Sequence, residues 1–162
     1  MTDKKHRLMI SAYIALGANL GDARATVFQA IQALSQLPGT TLLKHSSLYR
    51  SAPVDATGPD FINAVAEVAT TLSPQTLLEA LQALEQDAGR QRPYRNAPRT
   101  LDLDILLYDD LTLDSPTLVI PHPRMATRAF VLLPLAEIAP ERVTPAQLHA
   151  VAQQAIARLS DL

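Results

Sequence analysis

The residues Arg99-Thr100-Leu101-Asp102-Leu103-Asp104-Ile105-Leu106-Leu107 alternate apolar and acidic side chains and then turn wholly apolar. That is how a β-strand reads when it enters a core with one face still open. Asp is a poor strand former, so two of them at i and i+2 need a reason. Both point to one face, about 6 to 7 Å apart along the backbone at ~3.3 Å rise per residue. Carboxylates at that separation suit hard divalent cations, because magnesium takes oxygen ligands, commonly one or two carboxylates plus substrate phosphates. Asp-x-Asp alone reads equally well as the solvent face of an amphipathic strand.

Four arginines, Arg90, Arg92, Arg95 and Arg99, precede the pair within ten positions, in a segment broken by Pro93 and Pro98. The chain has 14 Lys plus Arg against 16 Asp plus Glu, so this is a local concentration and not a basic protein. Prolines at that spacing argue against a solvated helix face. Guanidinium groups present fixed forks of donors that match phosphate oxygens. Carboxylates for a metal beside arginines for phosphates describe a polyphosphate site; the competing reading is surface arginines or salt bridges to the aspartates.

The run Arg95-x-Ala97-Pro98-Arg99-x-x-Asp102-Leu103-Asp104-Ile105-Leu106 resembles the signature of the 6-hydroxymethyl-7,8-dihydropterin pyrophosphokinase family. That family transfers diphosphate from ATP to a pterin alcohol in folate biosynthesis, and the likeness extends over nearly the whole chain. It implies that Asp102 and Asp104 hold two magnesium ions and that Arg90 and Arg92 act with them in catalysis. Gln82, Glu85, Arg90, Arg92, Arg99, His122 and Arg128 match positions that bind ATP. Ser51, Val54, Phe61, Asn63 and Phe130 match positions that bind the pterin, with Phe61 and Phe130 sandwiching it. Ala18, Ala52 and Asp55 stand where the family commonly has serine, proline and glycine.

Several of these residues carry their own argument. Phe61 and Asn63 share one face of a strand, and an aromatic beside an amide reads a flat heterocycle by stacking and by paired donor and acceptor. Each is also an ordinary core or ladder residue. His122, fixed between Pro121 and Pro123 near Arg124 and Arg128, suits a phosphate or nucleotide contact as well as a structural role. Gln82 and Glu85 at i and i+3 lie together on one helix face, the usual place for solvated side chains.

The remaining chain sets the frame. One domain over residues 1–162, with 1–7 flexible, is expected from 162 residues, of which 48% are hydrophobic and 19% charged. Absence of cysteine excludes disulfides and thiolate chemistry. Lys4, Lys5 and Arg7 before the apolar run 8–16 imitate a signal peptide, but Asp3, Ser11 and Tyr13 interrupt the pattern, so cytoplasmic residence is expected. No apolar run reaches the length of a membrane span, and a monomer that meets small-molecule substrates, with no membrane or nucleic-acid partner, is the accompanying expectation. An RNA-binding module lacks its aromatic pattern here. Another magnesium-dependent nucleotidyl or glycosyl transferase remains the alternative that Asp-x-Asp allows.

Strands are expected at 8–16, 40–49, 61–68 and 99–107, with 17–22 as a tight turn and 51–59 as a loop. A helix is expected over 22–37 and another from Ser73-Pro74 to Gly89. A final helix starts at the Thr144 to Gln147 capping box and buries Leu148, Val151, Ala155 and Leu159. The order strand, helix, strand, strand, helix, strand predicts an α+β fold, a ferredoxin-like antiparallel sheet packed with helices.

Overall fold

The computed structural model describes residues 9–53, 58–89 and 101–159. The expected flexible start at 1–7, Val54, Asp55 and the arginines Arg90, Arg92, Arg95 and Arg99 lie outside the described residues. Strands are β1 (Ile10–Ala18), β2 (Thr40–His45), β3 (Tyr49–Ser51), β4 (Phe61–Thr70), β5 (Asp102–Tyr108), β6 (Leu113–Asp114), β7 (Val119–Ile120) and β8 (Ile156–Arg158). Helices are α1 (Ala23–Leu34), α2 (Pro74–Gly89), α3 (Ala129–Ile138) and α4 (Pro145–Ala150). The sheet runs β5-β1-β4-β3-β8 with β2 also on β4, and every pairing is antiparallel. With β2 and β3 counted as one interrupted strand, this is the ferredoxin-like order expected from the sequence.

Each face of the sheet has its own core. Ala12, Ile14 and Leu16 of β1 meet Val27, Ile31 and Leu34 of α1 and Leu77 and Leu81 of α2, the stripes legible at helical spacing. Each fully buried leucine or isoleucine there contributes about 1.5–3 kcal/mol of transfer free energy. On the opposite face Tyr13, Val65, Leu106 and Leu107 pack under Leu132 and Leu135 of α3. That helix buries Ala129, Val131, Leu132, Pro134, Leu135 and Ile138, so it is a core element and not an amphipathic cover.

The expected strand at 40–49 divides in two, because Ser46 replaces the ladder. Its N–H donates to the Val65 carbonyl, and its hydroxyl accepts from the Val65 N–H at 3.0 Å. Ser47 N–H then turns to the Glu137 carboxylate. The first helix stops at Leu34, three residues short of expectation, with Ser35, Gln36 and Leu37 closing tight turns. A larger correction falls at the end of the chain. The Thr144 capping box is present, but the helix ends at Ala150, and Ile156–Arg158 form an edge strand against Tyr49, Arg50 and Ser51. Ala155 is exposed, and Leu159 packs on the helical side of the sheet instead of beside Leu148. No helix among the described residues is long and apolar enough to cross a membrane.

Candidate active site

Because α3 covers only part of its face of the sheet, an open floor remains at the other end. Gly17 of β1 pairs with Asn63 of β4 on one side and Asp102 of β5 on the other. Ala15 likewise lies between Val65 and Asp104. Side chains in such a cross-strand row share a face, and strands lie about 4.8 Å apart, so Asn63 and Asp102 stand roughly 10 Å from each other across bare backbone. The two aspartates project from one face and are exposed, while Leu103 between them is buried. This is the disposition the alternating sequence required.

A cavity of about 420 Å³ sits over this floor, within the usual range for small-molecule sites. Of the residues singled out from the sequence, Ser51, Phe61, Asn63, Gln82, Glu85, Asp102, Asp104, His122, Arg128 and Phe130 all line it. They come from β3, β4, α2, β5, the segment after β7 and the start of α3. A larger depression, about 590 Å³ between α1 and α2, is lined mainly by leucine, alanine, Asp22 and Asp87 and holds none of that set. Val54, Arg90, Arg92 and Arg99 lie outside the described residues.

Asn63 is 3% exposed, and its Nδ2 donates to Ser51 Oγ at 2.7 Å. That bond fixes the amide in the cavity wall, with the Phe61 side chain on the same face. Arg128 lays its guanidinium 5.3 Å from the Phe130 ring centroid, a cation–π contact that holds both at the rim. His122 accepts from the Arg124 N–H through Nδ1 at 3.1 Å, which leaves Nε2 as the donor. Burial pushes its imidazole below the ordinary value of 6.5; the charge of Asp104 opposes this, and Arg128 and Arg124 reinforce it. The ring is therefore neutral near neutral pH.

Glu85, which lines the cavity where the resemblance implies a contact with ATP, also has a role in the fold. Its Oε2 accepts from the Leu103 N–H at 2.8 Å, so it satisfies a donor on the outer edge of β5 between the two aspartates. Sequence reasoning also missed the floor. Gly17 read as the first residue of a turn, yet it lies inside β1, which runs to Ala18. A glycine interior to a strand is the signal that could have found it. Ala18, where the family commonly has serine, is 2% exposed and belongs to the core on the helical side; a methyl suits that place, and a hydroxyl would need a buried partner.

Among the described residues no group of three or more His, Cys, Asp or Glu side chains gathers as a metal centre. Two exposed carboxylates on one face still fit magnesium, which takes few protein ligands and completes its shell with phosphate and water. Fold and cavity together describe a small-molecule site on the open half of a ferredoxin-like sheet, with acid at one end and an aromatic and an amide at the other.

Comparisons with known proteins identify the class further. Residues 13–140 match the family model described as 7,8-dihydro-6-hydroxymethylpterin-pyrophosphokinase. The 2-amino-4-hydroxy-6-hydroxymethyldihydropteridine pyrophosphokinase of Pseudomonas aeruginosa is 49% identical over 138 residues, 85% of each chain. The Haemophilus influenzae enzyme of the same name is 48% identical over 138 residues, 85% of this chain and 86% of that one. Among solved structures, wild-type HPPK-DHPS of Plasmodium falciparum superposes with a TM-score of 0.63 at 15% identity, covering 82% of this chain and 38% of that longer one. Another HPPK-DHPS structure, in complex with substrates, gives 0.64 at 14% identity, over 82% of this chain and 40% of that one. At that identity the likeness speaks for the fold. The chain belongs to the 7,8-dihydro-6-hydroxymethylpterin-pyrophosphokinase family. Its activity is pyrophosphoryl transfer to 6-hydroxymethyl-7,8-dihydropterin, a step of folate biosynthesis.

Proposed function

We propose that the enzyme takes the β,γ-diphosphate from ATP in a magnesium-dependent reaction, with the pterin held by Ser51, Val54, Phe61, Asn63 and Phe130. The nucleotide lies across Gln82, His122, Arg128 and the segment carrying Arg90, Arg92 and Arg99. Asp102 and Asp104 would hold two magnesium ions, which when bound neutralise the charge of the triphosphate. The hydroxymethyl oxygen attacks the β-phosphorus and releases its hydroxyl proton to solvent; that bond forms as the bond from the β-phosphorus to the bridging oxygen of the α-phosphate breaks, so AMP leaves and diphosphate moves as a unit. Catalysis of this kind is positioning plus electrostatic stabilisation. Neutral His122 offers Nε2–H to an anionic oxygen without surrendering its proton, and Arg128 supplies charge at the rim. The same reading takes the enzyme as a cytoplasmic monomer.

What carries the proposal is that both aspartates and the Asn63 amide project from one sheet face into one cavity. Its test is AMP release from ATP with and without the pterin alcohol, in magnesium and after chelation. AMP that depends on both pterin and magnesium is expected. Asp102→Asn and Asp104→Asn should each lower turnover about a hundredfold or more, as loss of one electrostatic group at a reacting phosphate commonly does, while pterin affinity stays near wild type. Near wild-type turnover in either variant would remove the metal assignment.

A further inference from the structure

We propose that Gly17 determines specificity for the pterin: its bare α-carbon lets the Asn63 amide oxygen stand in the cavity, and a side chain there would displace it. The inference rests on the assignment of Asn63 to the pterin made above. A Cβ built on Gly17 would lie 3.2 Å from Asn63 Oδ1 and 3.9 Å from the Ile62 carbonyl oxygen. Contacts at the first distance are tighter than side chains ordinarily tolerate, so the amide must give way. It has little freedom to do so, because Asn63 is 3% exposed and tied to Ser51 Oγ, itself on a residue 6% exposed.

Backbone conformation does not explain the glycine. Gly17 is not among the residues with positive φ, and a glycine inside a strand weakens it. The unexplained group beside it is the amide oxygen. Among the described residues Asn63 Oδ1 meets no hydrogen-bond donor, and a buried acceptor without one is costly. A flat heterocycle carrying N–H donors would satisfy it. The same bare strip is the path by which a short arm on that ring passes from Asn63 toward Asp102, its partner across β1.

The test compares wild type, Gly17→Ala, Asn63→Ala and the double variant. Pterin affinity is measured by titration calorimetry, affinity for a non-hydrolysable ATP analogue with magnesium in parallel, and thermal unfolding on each. Gly17→Ala should weaken pterin binding about tenfold and leave the nucleotide analogue unaffected. Its unfolding temperature should fall modestly, because the methyl crowds a buried amide held by Ser51, which outweighs the entropy that alanine saves relative to glycine. A merely structural role would lower that temperature and leave pterin affinity unchanged. In the Asn63→Ala background, the added methyl should change pterin affinity by less than about twofold, because the group it disturbs is gone. Wild-type pterin affinity in Gly17→Ala, with Asn63→Ala impaired, overturns the role of Gly17 alone. Wild-type affinity in Asn63→Ala overturns the placement of the pterin and this inference with it. If Gly17→Ala does not fold, Gly17→Ala/Asn63→Ser decides: the shorter side chain clears the methyl, so recovery supports the proposal and continued failure overturns it.

Discussion

Replacing Glu85 separates two roles that the sequence alone could not tell apart. Its carboxylate accepts from the Leu103 N–H at 2.8 Å, and Leu103 is 3% exposed. Glu85→Ala removes a hydrogen bond to a charged group, worth about 1.5–3 kcal/mol, and strands a buried donor. For a chain of this length each kcal/mol moves the unfolding temperature about 2–4 °C, so a fall of roughly 3–12 °C is expected. Glu85→Gln keeps an acceptor oxygen and loses only the charge assistance, about half of the effect. Scanning calorimetry reads both. Steady-state kinetics reads the consequence: Leu103 sits between Asp102 and Asp104, so loosening it should lower kcat more than it raises KM for ATP, and Glu85→Gln should be the milder variant. An unfolding temperature for Glu85→Ala within about one degree of wild type would refute the strand-holding role. So would an unchanged kcat with a raised KM for ATP, which would return Glu85 to the nucleotide contact that the family resemblance implies.

Phe130→Ala should weaken pterin binding about tenfold through lost stacking and burial, read by titration; unchanged affinity would take Phe130 out of the pterin site. Glu137 of α3 gathers Tyr49 Oη at 2.7 Å, the Ser47 N–H and hydroxyl, and Arg158 at 3.5 Å. Burial pushes its carboxyl up, but the bonds from Tyr49 and Ser47 and the charge of Arg158 outweigh it and hold the group below its ordinary value of 4.5. A lowered value in the fold means stability present above that ordinary value and lost as pH falls through the folded one. Wild type should therefore be more stable than Glu137→Gln at neutral pH, with the gap closing on acidification below about 4.5; a gap independent of pH in thermal melts would refute the assignment.

Legibility from sequence followed the reach of the interactions. The apolar stripes of α1 and α2, the Thr144 capping box and the shared face of Asp102 and Asp104 depend on residues within a few positions of each other, and all were readable. What went unread depended on distant partners. Residues 151–159 are rich in alanine and glutamine, good helix formers, yet pairing with the otherwise open edge of β3 draws Ile156–Arg158 into the sheet. Nothing local marks Ser46 as a substitute for a ladder, because its partner Val65 is 19 positions away. Glu85 is 18 positions from Leu103, and only the packing of α2 beside β5 shows which donor it meets. At Gly17 the residue type was visible, but its meaning came from Asn63 and the register that places the two opposite each other.

The wholly apolar end of β5 shows how one strand serves both the cavity and the core. Tyr13 pairs with Leu107 but Ile14 with Ile105, so Leu106 is an extra residue, a β-bulge. Strict alternation would send Leu107 to the helical face and Tyr108 to the side of the aspartates. With the bulge, Leu106 and Leu107 both join the core under α3, while Tyr108 turns to the helical side and donates its hydroxyl to the Leu72 carbonyl at 2.6 Å. The strand thus exposes two carboxylates at one end and, a few residues on, places two successive leucines on that same face as its seal. Because the strand end is anchored by burial, the acidic end can stay open to ligand without depending on its own poor strand propensity.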